Sequence, residues 1–219
     1  MNNFEICSNI LSAKIISNVS PALKKELNIK HDHKSIGMIT AEIDLPAYTA
    51  LDQVTKMVDV ELVYAKSTYG GHTNATTKLA GEFIGILSGG TTEDVKTALT
   101  LASNYMKDSL CGEIQFADEE NSIPYYAHCI PRPGTYFKTA TNISENESIA
   151  FLIAPPLESM YALDSVLKSA DVKIRVLWKP PTATNFGGAL ISGNESSCTT
   201  ACKSFSEAII TIAKIPIDI

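Results

Sequence analysis

The sequence lacks the features that usually mark a membrane protein, a secreted protein or a nucleic-acid-binding protein. None of its apolar runs reaches the roughly 18 uncharged residues that a membrane-spanning helix needs. Its 18 basic residues are outnumbered by 24 acidic ones and form no block, which argues against a nucleic-acid or anionic-membrane surface. The first residues, Met1 to Glu5, have neither the basic nor the apolar part of a signal peptide. We therefore expect a cytoplasmic protein.

Motifs of catalysis and cofactor binding are also missing. There is no Gly-x-Gly-x-x-Gly run, no Walker loop, no Gly-x-Ser-x-Gly and no His-Glu-x-x-His. Cys198 and Cys202 have the spacing of a soft-metal pair on a helix, but they fall on its apolar stripe, which favours core thiols. His31 and His33 bracket one residue in a polar segment without a third ligand, which favours a solvated loop. We predict neither an enzyme nor a metal site.

The composition nevertheless indicates a folded protein with a substantial core. Of the 219 residues, 45% are apolar and 19% are charged, and the length fits two domains of about 110 residues each. The cysteines are odd in number and irregularly spaced, which favours reduced thiols over a disulfide framework. They are Cys7, Cys111, Cys129, Cys198 and Cys202.

An internal repeat is the strongest positive signal. Residues 50–60 and 162–172 lie 112 positions apart and are identical at the Ala, Leu, Asp, Val, Lys, Asp and Val positions. That agreement far exceeds chance, so we infer a duplicated unit and predict domains at residues 1–110 and 111–219. Two further pairs of segments extend the match: 35–39 with 148–152, and 86–90 with 190–194, the latter at an offset of 104.

Each copy predicts the same α/β order of elements: a strand, a helix, an alternating strand, a loop, a strand and a second helix. The two copies therefore predict two small sheets that carry helices. The predicted strands are 36–43, 60–64 and 83–87 in the first copy, and 149–154, 172–176 and 189–191 in the second. The first helices contain Ala50 to Val58 and Ala162 to Ala170, and residues 91–94 and 192–195 supply the cap and the acidic first turn of the second helices.

Two loops, residues 67–77 and 179–188, occupy matched positions after the alternating strands. Both are rich in hydroxyl side chains, contain glycine and are nearly uncharged. They are either ordinary surface loops or segments that gate or line a ligand site, since glycine permits large changes of backbone conformation. The residues leave both interpretations open.

The repeat and its flanks resemble a known family, the tandem, circularly permuted bacterial microcompartment domain proteins, and within it the shell proteins of ethanolamine utilisation. The similarity runs from about residue 12 to residue 216. Besides the two repeat runs, it is carried by Tyr64-Ala-Lys-Ser-Thr-Tyr69, Ala80-Gly-Glu82, Ala154-Pro-Pro-Leu-Glu158 and Cys198-x-x-x-Cys202.

This resemblance implies two BMC-type domains, each a small mixed or antiparallel sheet with flanking helices. It also implies a non-enzymatic homotrimer that mimics a hexamer and tiles, with other shell proteins, the polyhedral shell around ethanolamine-degrading enzymes. Three copies of each loop would then meet at a gated central pore. No cofactor is required, although a corrinoid (cobalamin) is a candidate bulky ligand. The expected contacts at this pore are Tyr69, Ala75, Thr76, Thr182, Thr184 and Phe186.

The resemblance further implies a small acidic pore in each chain. The matching residues are Asp44, expected at the end of the first strand, and Glu82, with Glu113 bordering the site on weaker grounds. They are either solvated carboxylates at loop edges or a site for ethanolamine, whose ammonium each carboxylate would attract by about 1–4 kcal/mol at about 4 Å. Pro46 departs from the family pattern, so the entrance to the pore is expected to differ in shape.

One alternative remains, a soluble trimeric regulator of tandem α/β domains that binds a ligand between its subunits. Flat hexagonal sheets of concentrated protein in the electron microscope would indicate a tile. Dispersed trimers would indicate the regulator.

Overall fold

The computed structural model consists of two compact α/β units. The first unit comprises Cys7–Cys111 and Gly134–Phe137, and the second comprises Gly112–Pro133 and Lys138–Ile219 together with the segment before Cys7. The predicted domain boundary between residues 110 and 111 stays a prediction, since the compact units exchange the N-terminal segment and residues 134–137 across it. The described residues are 5–69, 77–118, 120 and 122–217.

The first unit is a four-stranded antiparallel sheet in the order β1-β2-β4-β3. Its core is formed where the sheet packs against its two longer helices, α2 and α3, with Leu51, Phe83 and Ala98 fully buried. The elements are β1 (Ile10–Ile16), α1 (Pro21–Glu26), β2 (Ser35–Ala41), α2 (Asp44–Val54), β3 (Val60–Ser67), β4 (Phe83–Gly89) and α3 (Thr92–Asp108).

The second unit is a five-stranded antiparallel sheet in the order β5-β6-β7-β9-β8. Helices α5 and α6 pack on it, with Ala162, Cys198 and Phe205 fully buried. Its elements are β5 (Ile114–Phe116), β6 (Pro124–Ile130), α4 (Thr135–Thr141, whose first three residues belong to the first unit), β7 (Ser148–Ala154), α5 (Pro156–Ser169), β8 (Lys173–Trp178), β9 (Gly187–Gly193) and α6 (Glu195–Lys214).

Strand pairing shows that the repeat is structural as well as sequential. Ser35 pairs with Gly89 in the first sheet, and Ser148 pairs with Gly193 in the second. The register of β3 shifts between Leu62 and Tyr64, and that of β8 shifts between Ile174 and Val176, 112 positions later. A β-bulge at the same point of both repeats indicates that the two units have one architecture.

Local residue chemistry explains where the helices begin. Thr91 and Asp94 form a capping box at the start of α3. Asn194, within the predicted capping segment 192–195, caps α6 by accepting the N–H of Ser197 at 2.8 Å. Its side-chain amide oxygen satisfies an N–H that the first helical turn leaves unpaired.

Helix α2 differs from its prediction at both ends. Asp44 is the first residue of α2 rather than the end of the preceding strand, which stops at Ala41. Pro46 lies in the first turn, where proline costs the helix no hydrogen bond. The helix ends at Val54, so Met57, predicted to be an apolar position of this helix, lies beyond it and is 60% exposed.

One cysteine pair contradicts the expectation of reduced thiols. Cys7 and Cys111 are joined by a disulfide, with Cα atoms 4.3 Å apart across 104 residues of sequence. Spacing gave no sign of it because the two residues meet only where the first unit closes. Cys129, Cys198 and Cys202 are free.

No helix in the described part of the chain is both long and apolar enough to cross a membrane.

Candidate functional site

An acidic pair, Asp44 and Glu82, lies at one end of the two central strands of the first sheet. Asp44 begins α2 and is only 5% exposed, and Glu82 is half-buried immediately before β4. The end of β2 and the start of β4 are paired, with Ala41 opposite Phe83. Asp44 follows β2 and Glu82 precedes β4, so the pairing of these strands brings both carboxylates to the same end of the sheet.

Backbone contacts fix the position of Glu82. Its N–H donates to the carbonyl oxygen of Ala41 at 3.0 Å, and its own carbonyl accepts the N–H of Thr68 at 2.8 Å. The hydroxyl of Thr68 donates to the carbonyl of Gly81 at 2.7 Å. Gly81 has a φ of 63°, and a Cβ there would collide with the carbonyl oxygen of Ala41. Glycine is therefore required for this close approach to β2.

The surroundings of both carboxylates disfavour their charged forms. Burial raises the pKa of Glu82 to about 7, and the charge of Asp44 adds to the increase. Burial also raises the pKa of Asp44, against hydrogen bonds from Ser67 and the backbone N–H of Leu45 that lower it. The pair is consequently partly protonated near neutral pH, and a bound cation would favour its ionised form.

Two neighbours of the acidic pair were not predicted from the sequence. Tyr48 lies one turn after Asp44 in α2, and its ring packs edge-on against Phe83 with centroids 4.7 Å apart. The hydroxyl oxygens of Ser67 and Tyr48 lie 3.4 Å apart. The i, i+4 spacing of Asp44 and Tyr48 could have indicated the tyrosine, whereas only the folded chain brings Ser67 close.

The acidic pair has no cationic partner among the described residues. No lysine, arginine or histidine nitrogen lies within 4.0 Å of either carboxylate in that part of the chain. Buried carboxylates are usually paired or hydrogen-bonded, because desolvating an isolated charge is costly. The arrangement is suited to an external cation.

Glu113 lies in the second unit, immediately before β5. Its carboxylate is 2.7 Å from Nδ1 of His128. This hydrogen bond, assisted by the charge of His128, lowers the pKa of Glu113. A role for Glu113 at the acidic site of the first unit stays a prediction.

The two matched loops each join an edge strand to its neighbour: β3 to β4 and β8 to β9. Tyr69, in the first loop, is 44% exposed. Ala75 and Thr76 lie outside the described residues. In the second loop the N–H of Thr182 donates to the carbonyl of Phe186 at 2.8 Å, and the hydroxyl oxygens of Thr182 and Thr184 are 3.3 Å apart.

The histidine pair does not form a uniformly solvated loop. His31 is exposed, but His33 is only 5% exposed, with its Nδ1 2.8 Å from the hydroxyl oxygen of Ser88. The expectation of a solvated segment is therefore wrong for His33. The reason is that residues just before β2 pack against the end of β4, a contact that the local polarity of the sequence does not reveal.

The remaining thiols are core residues. Cys198 is fully buried, and burial raises its pKa to about 12, so the thiolate is scarcely populated at neutral pH. Burial raises the pKa of Cys202 as well. Among the residues that the structure describes, no three His, Cys, Asp or Glu side chains are grouped so as to hold a metal ion.

Known proteins match this chain along nearly its whole length. Residues 35–116 match the family model of the BMC domain. The chain is 49% identical over 217 residues to the bacterial microcompartment shell protein EutL of Clostridium perfringens (strain 13 / Type A), covering 99% of both. It is 32% identical over 209 residues to EutL of Escherichia coli (strain K12), covering 95% of this chain and 94% of that one.

Solved structures agree in fold. A crystal structure of EutL from Clostridium perfringens matches with a TM-score of 0.93, covering 99% of this chain and 98% of that one at 49% identity. The ethanolamine utilization protein EutL from Leptotrichia buccalis C-1013-b matches with a TM-score of 0.92 at 47% identity, covering all of both chains. The family resemblance and the predicted fold of two tandem α/β domains are both confirmed. The chain belongs to the EutL family of bacterial microcompartment shell proteins.

Proposed function

We propose that this shell protein binds ethanolamine through the acidic pair Asp44 and Glu82, at a small pore of the ethanolamine-utilisation shell. The observation that carries the proposal is the meeting of two desolvated carboxylates, with the pKa of Glu82 raised to about 7 and no cation beside them in the described chain. Ethanolamine supplies the missing ammonium. At about 4 Å each carboxylate would attract it by about 1–4 kcal/mol.

Hydroxyl groups next to the acidic pair suit the other end of ethanolamine. Tyr48 and Ser67 carry hydroxyls 3.4 Å apart, and Ser67 also bonds to Asp44. A ligand whose ammonium lies between the carboxylates could exchange a hydrogen bond with either hydroxyl through its own alcohol. A site that contacts both the ammonium and the hydroxyl of the ligand distinguishes ethanolamine from other cations better than a site that contacts the charge alone.

The tile itself is proposed to be a homotrimer. Each chain supplies two units in which three matched strands follow the same order, β2-β4-β3 and β7-β9-β8, with the same bulge position, so three chains would supply six units. This arrangement would carry one acidic pore in each chain and would contact other shell proteins at its edges.

A gated central pore is proposed for the matched loops, with Tyr69, Thr182, Thr184 and Phe186 among its contacts. The exposed ring of Tyr69 and the paired threonine hydroxyls supply surfaces for a bulky, amphipathic ligand, for which a corrinoid is the proposed candidate. The pore would be gated only if that ligand bound its open and closed forms with different affinity.

Calorimetric titration of ethanolamine tests the acidic site. Asp44→Asn and Glu82→Gln each remove one negative charge without changing side-chain size, and we expect each to weaken binding by roughly tenfold or more. Asp164→Asn is the matched control, since Asp164 is an exposed carboxylate on α5. Ethylene glycol, which has the hydroxyl but no ammonium, should not bind. Wild-type affinity in both acidic-site variants would disprove the assignment.

A further inference from the structure

A cavity in the first unit, formed entirely by residues 18–34, has the opposite electrostatic character to the acidic pair. It measures about 750 Å³ and is lined by three lysines and two histidines, with no acidic residue in its lining. The chain as a whole carries a net charge of −6, so this concentration of basic groups is an exception. The basic residues are Lys24, Lys25, Lys34, His31 and His33.

Two of the lysine ammonium groups have no acidic partner among the described residues. Lys30, just outside the cavity lining, pairs with Glu61 at 3.5 Å, but Lys25 and Lys34 form no ion pair with any described residue. The acidic residues of the same segment, Glu26 and Asp32, do not line the cavity. Placing like charges together without neutralisation is unfavourable, and a bound anion would relieve it.

The cavity wall is held in place by hydrogen bonds. The N–H of Val19 donates to the carbonyl of Lys34 at 2.9 Å, and the N–H of Lys34 donates to the carbonyl of Gly89 at 3.0 Å. Lys24 Nζ donates to the carbonyl of His31, which closes the loop after α1. The positions of the lysine backbones are thus set before any ligand arrives, which lowers the entropic cost of binding.

His33 contributes a polar atom to the cavity lining although the residue is only 5% exposed. Its Nδ1 is bonded to Ser88, while its Nε2 has no protein partner in the described chain. That nitrogen remains accessible to solvent, since no buried side-chain nitrogen or oxygen of the described residues lacks a partner. Val19 and Ile29 are 6% and 8% exposed and bring to the cavity a small apolar area of an otherwise buried cluster that includes Ile36 and Ile86.

We propose that this cavity binds a phosphate-bearing small metabolite. A phosphate group carries close to two negative charges and several strong acceptor oxygens, and lysines bind it as point charges. The volume suits an organic phosphate whose uncharged part rests on the apolar surface. This site shares no residue with the proposed ethanolamine site, so the protein would take ligands of opposite charge at two places.

Calorimetric titration of the full chain in low-salt, phosphate-free buffer tests the proposal, with inorganic phosphate and adenosine monophosphate as separate probes. Saturable binding of both probes at equal affinity would place recognition in the phosphate group, and tighter binding of the nucleotide would add the apolar surface. Lys25→Gln and Lys34→Gln should each weaken binding roughly fivefold, and the double variant roughly 20-fold. Lys24 is left unchanged because its ammonium holds the loop.

Lys14→Gln is the control for net charge, since Lys14 is exposed on β1 and does not line the cavity. Circular dichroism of every variant should match the wild type. The proposal is overturned if neither probe binds saturably, if the double variant binds as the wild type does, or if Lys14→Gln causes the same loss. Equal competition by acetate at constant ionic strength would also overturn it.

Discussion

The two units share one architecture but differ in chemistry at matched positions. Helix α2 begins at Asp44 and helix α5 at Pro156, and the residue before β4 is Glu82 where the residue before β9 is Phe186. This end of the first sheet therefore carries two carboxylates, whereas the matched end of the second sheet carries a proline and an aromatic ring. Duplication supplied the same scaffold twice, and two side chains decide whether this end of the sheet carries carboxylates.

The same divergence affects an aspartate that both repeats retain. Asp52 is 1% exposed, and its carboxylate accepts the N–H groups of Gly134 and Phe137 at 2.5 and 2.9 Å. Asp164, at the matched position of α5, is exposed and pairs with Lys168 on its own helix. One residue type in one repeat position is thus a buried anchor in the first unit and a surface charge in the second.

Replacing these matched aspartates should give the largest difference in stability between the two units. Asp52→Ala leaves two N–H groups of the first unit without their acceptor, so we expect a loss of about 2–4 kcal/mol in the free energy of unfolding. Asp164→Ala should leave it unchanged within error, because the exposed pair is screened by solvent. Urea unfolding monitored by circular dichroism measures both, and equal effects would refute the assigned difference.

A smaller difference in stability is expected from substitutions in the turns that precede β4 and β9. Gly81 has a φ of 63° and Asn185, 104 positions later, has a φ of 64°. Gly81→Asn installs the second unit's residue in the first, where its Cβ would collide with the carbonyl of Ala41, so we expect a loss of about 1–3 kcal/mol. Asn185→Gly should change stability by less than about 0.5 kcal/mol.

Thermal unfolding distinguishes these turn variants. If Gly81→Asn unfolds at the wild-type temperature, the close approach of residue 81 to the backbone of β2 does not require glycine. Ethanolamine titration of the same variant adds a second readout, because displacement of Glu82 should weaken binding even where the fold persists.

The smallest effect concerns the pH dependence of stability. Glu82 has an ordinary pKa of 4.5 when unfolded and about 7 when folded, so the folded state binds more protons between these values. Its contribution to stability is complete below pH 4.5 and is lost as the pH rises through 7. Glu82→Gln should remove this decline, by on the order of 1 kcal/mol after allowance for partial exposure.

The melting temperature of wild type and Glu82→Gln between pH 5 and pH 8 provides the measurement. The difference in melting temperature should grow in favour of the variant between pH 5 and about pH 7 and level off above that pH. Asp164→Asn should keep the wild-type slope, and a Glu82→Gln profile parallel to the wild type would contradict the raised pKa.

Much of the fold was predictable because it depends on local patterns that occur twice. The alternation around Leu62 and Ile174 predicted strands, and the apolar stripe through Cys198 and Phe205 predicted a helix face that is indeed buried. The strand β1, the helices α1 and α4 and the strands β5 and β6 were missed. Their sequences lie outside the repeated runs, so nothing reinforced their weaker periodicity.

The acidic pair was assigned through family resemblance, and the structure adds its physical basis. Composition gave no reason to select Asp44 and Glu82 among 24 acidic residues. Their proximity depends on the pairing of β2 with β4 and on the left-handed conformation of Gly81. Burial at that end of the sheet, which raises both pKa values, is likewise a property of the packed unit.

The sequence by itself determined the duplication, the order of strands and helices within each repeat and the apolar faces that form the two cores. These features follow from periodicity over a few residues and from similarity between the copies. Only the tertiary structure decided that Asp52 is an anchor while Asp164 is a surface charge, that His33 is buried and that Cys7 meets Cys111. Each depends on contacts between residues far apart in the chain, which no local pattern encodes.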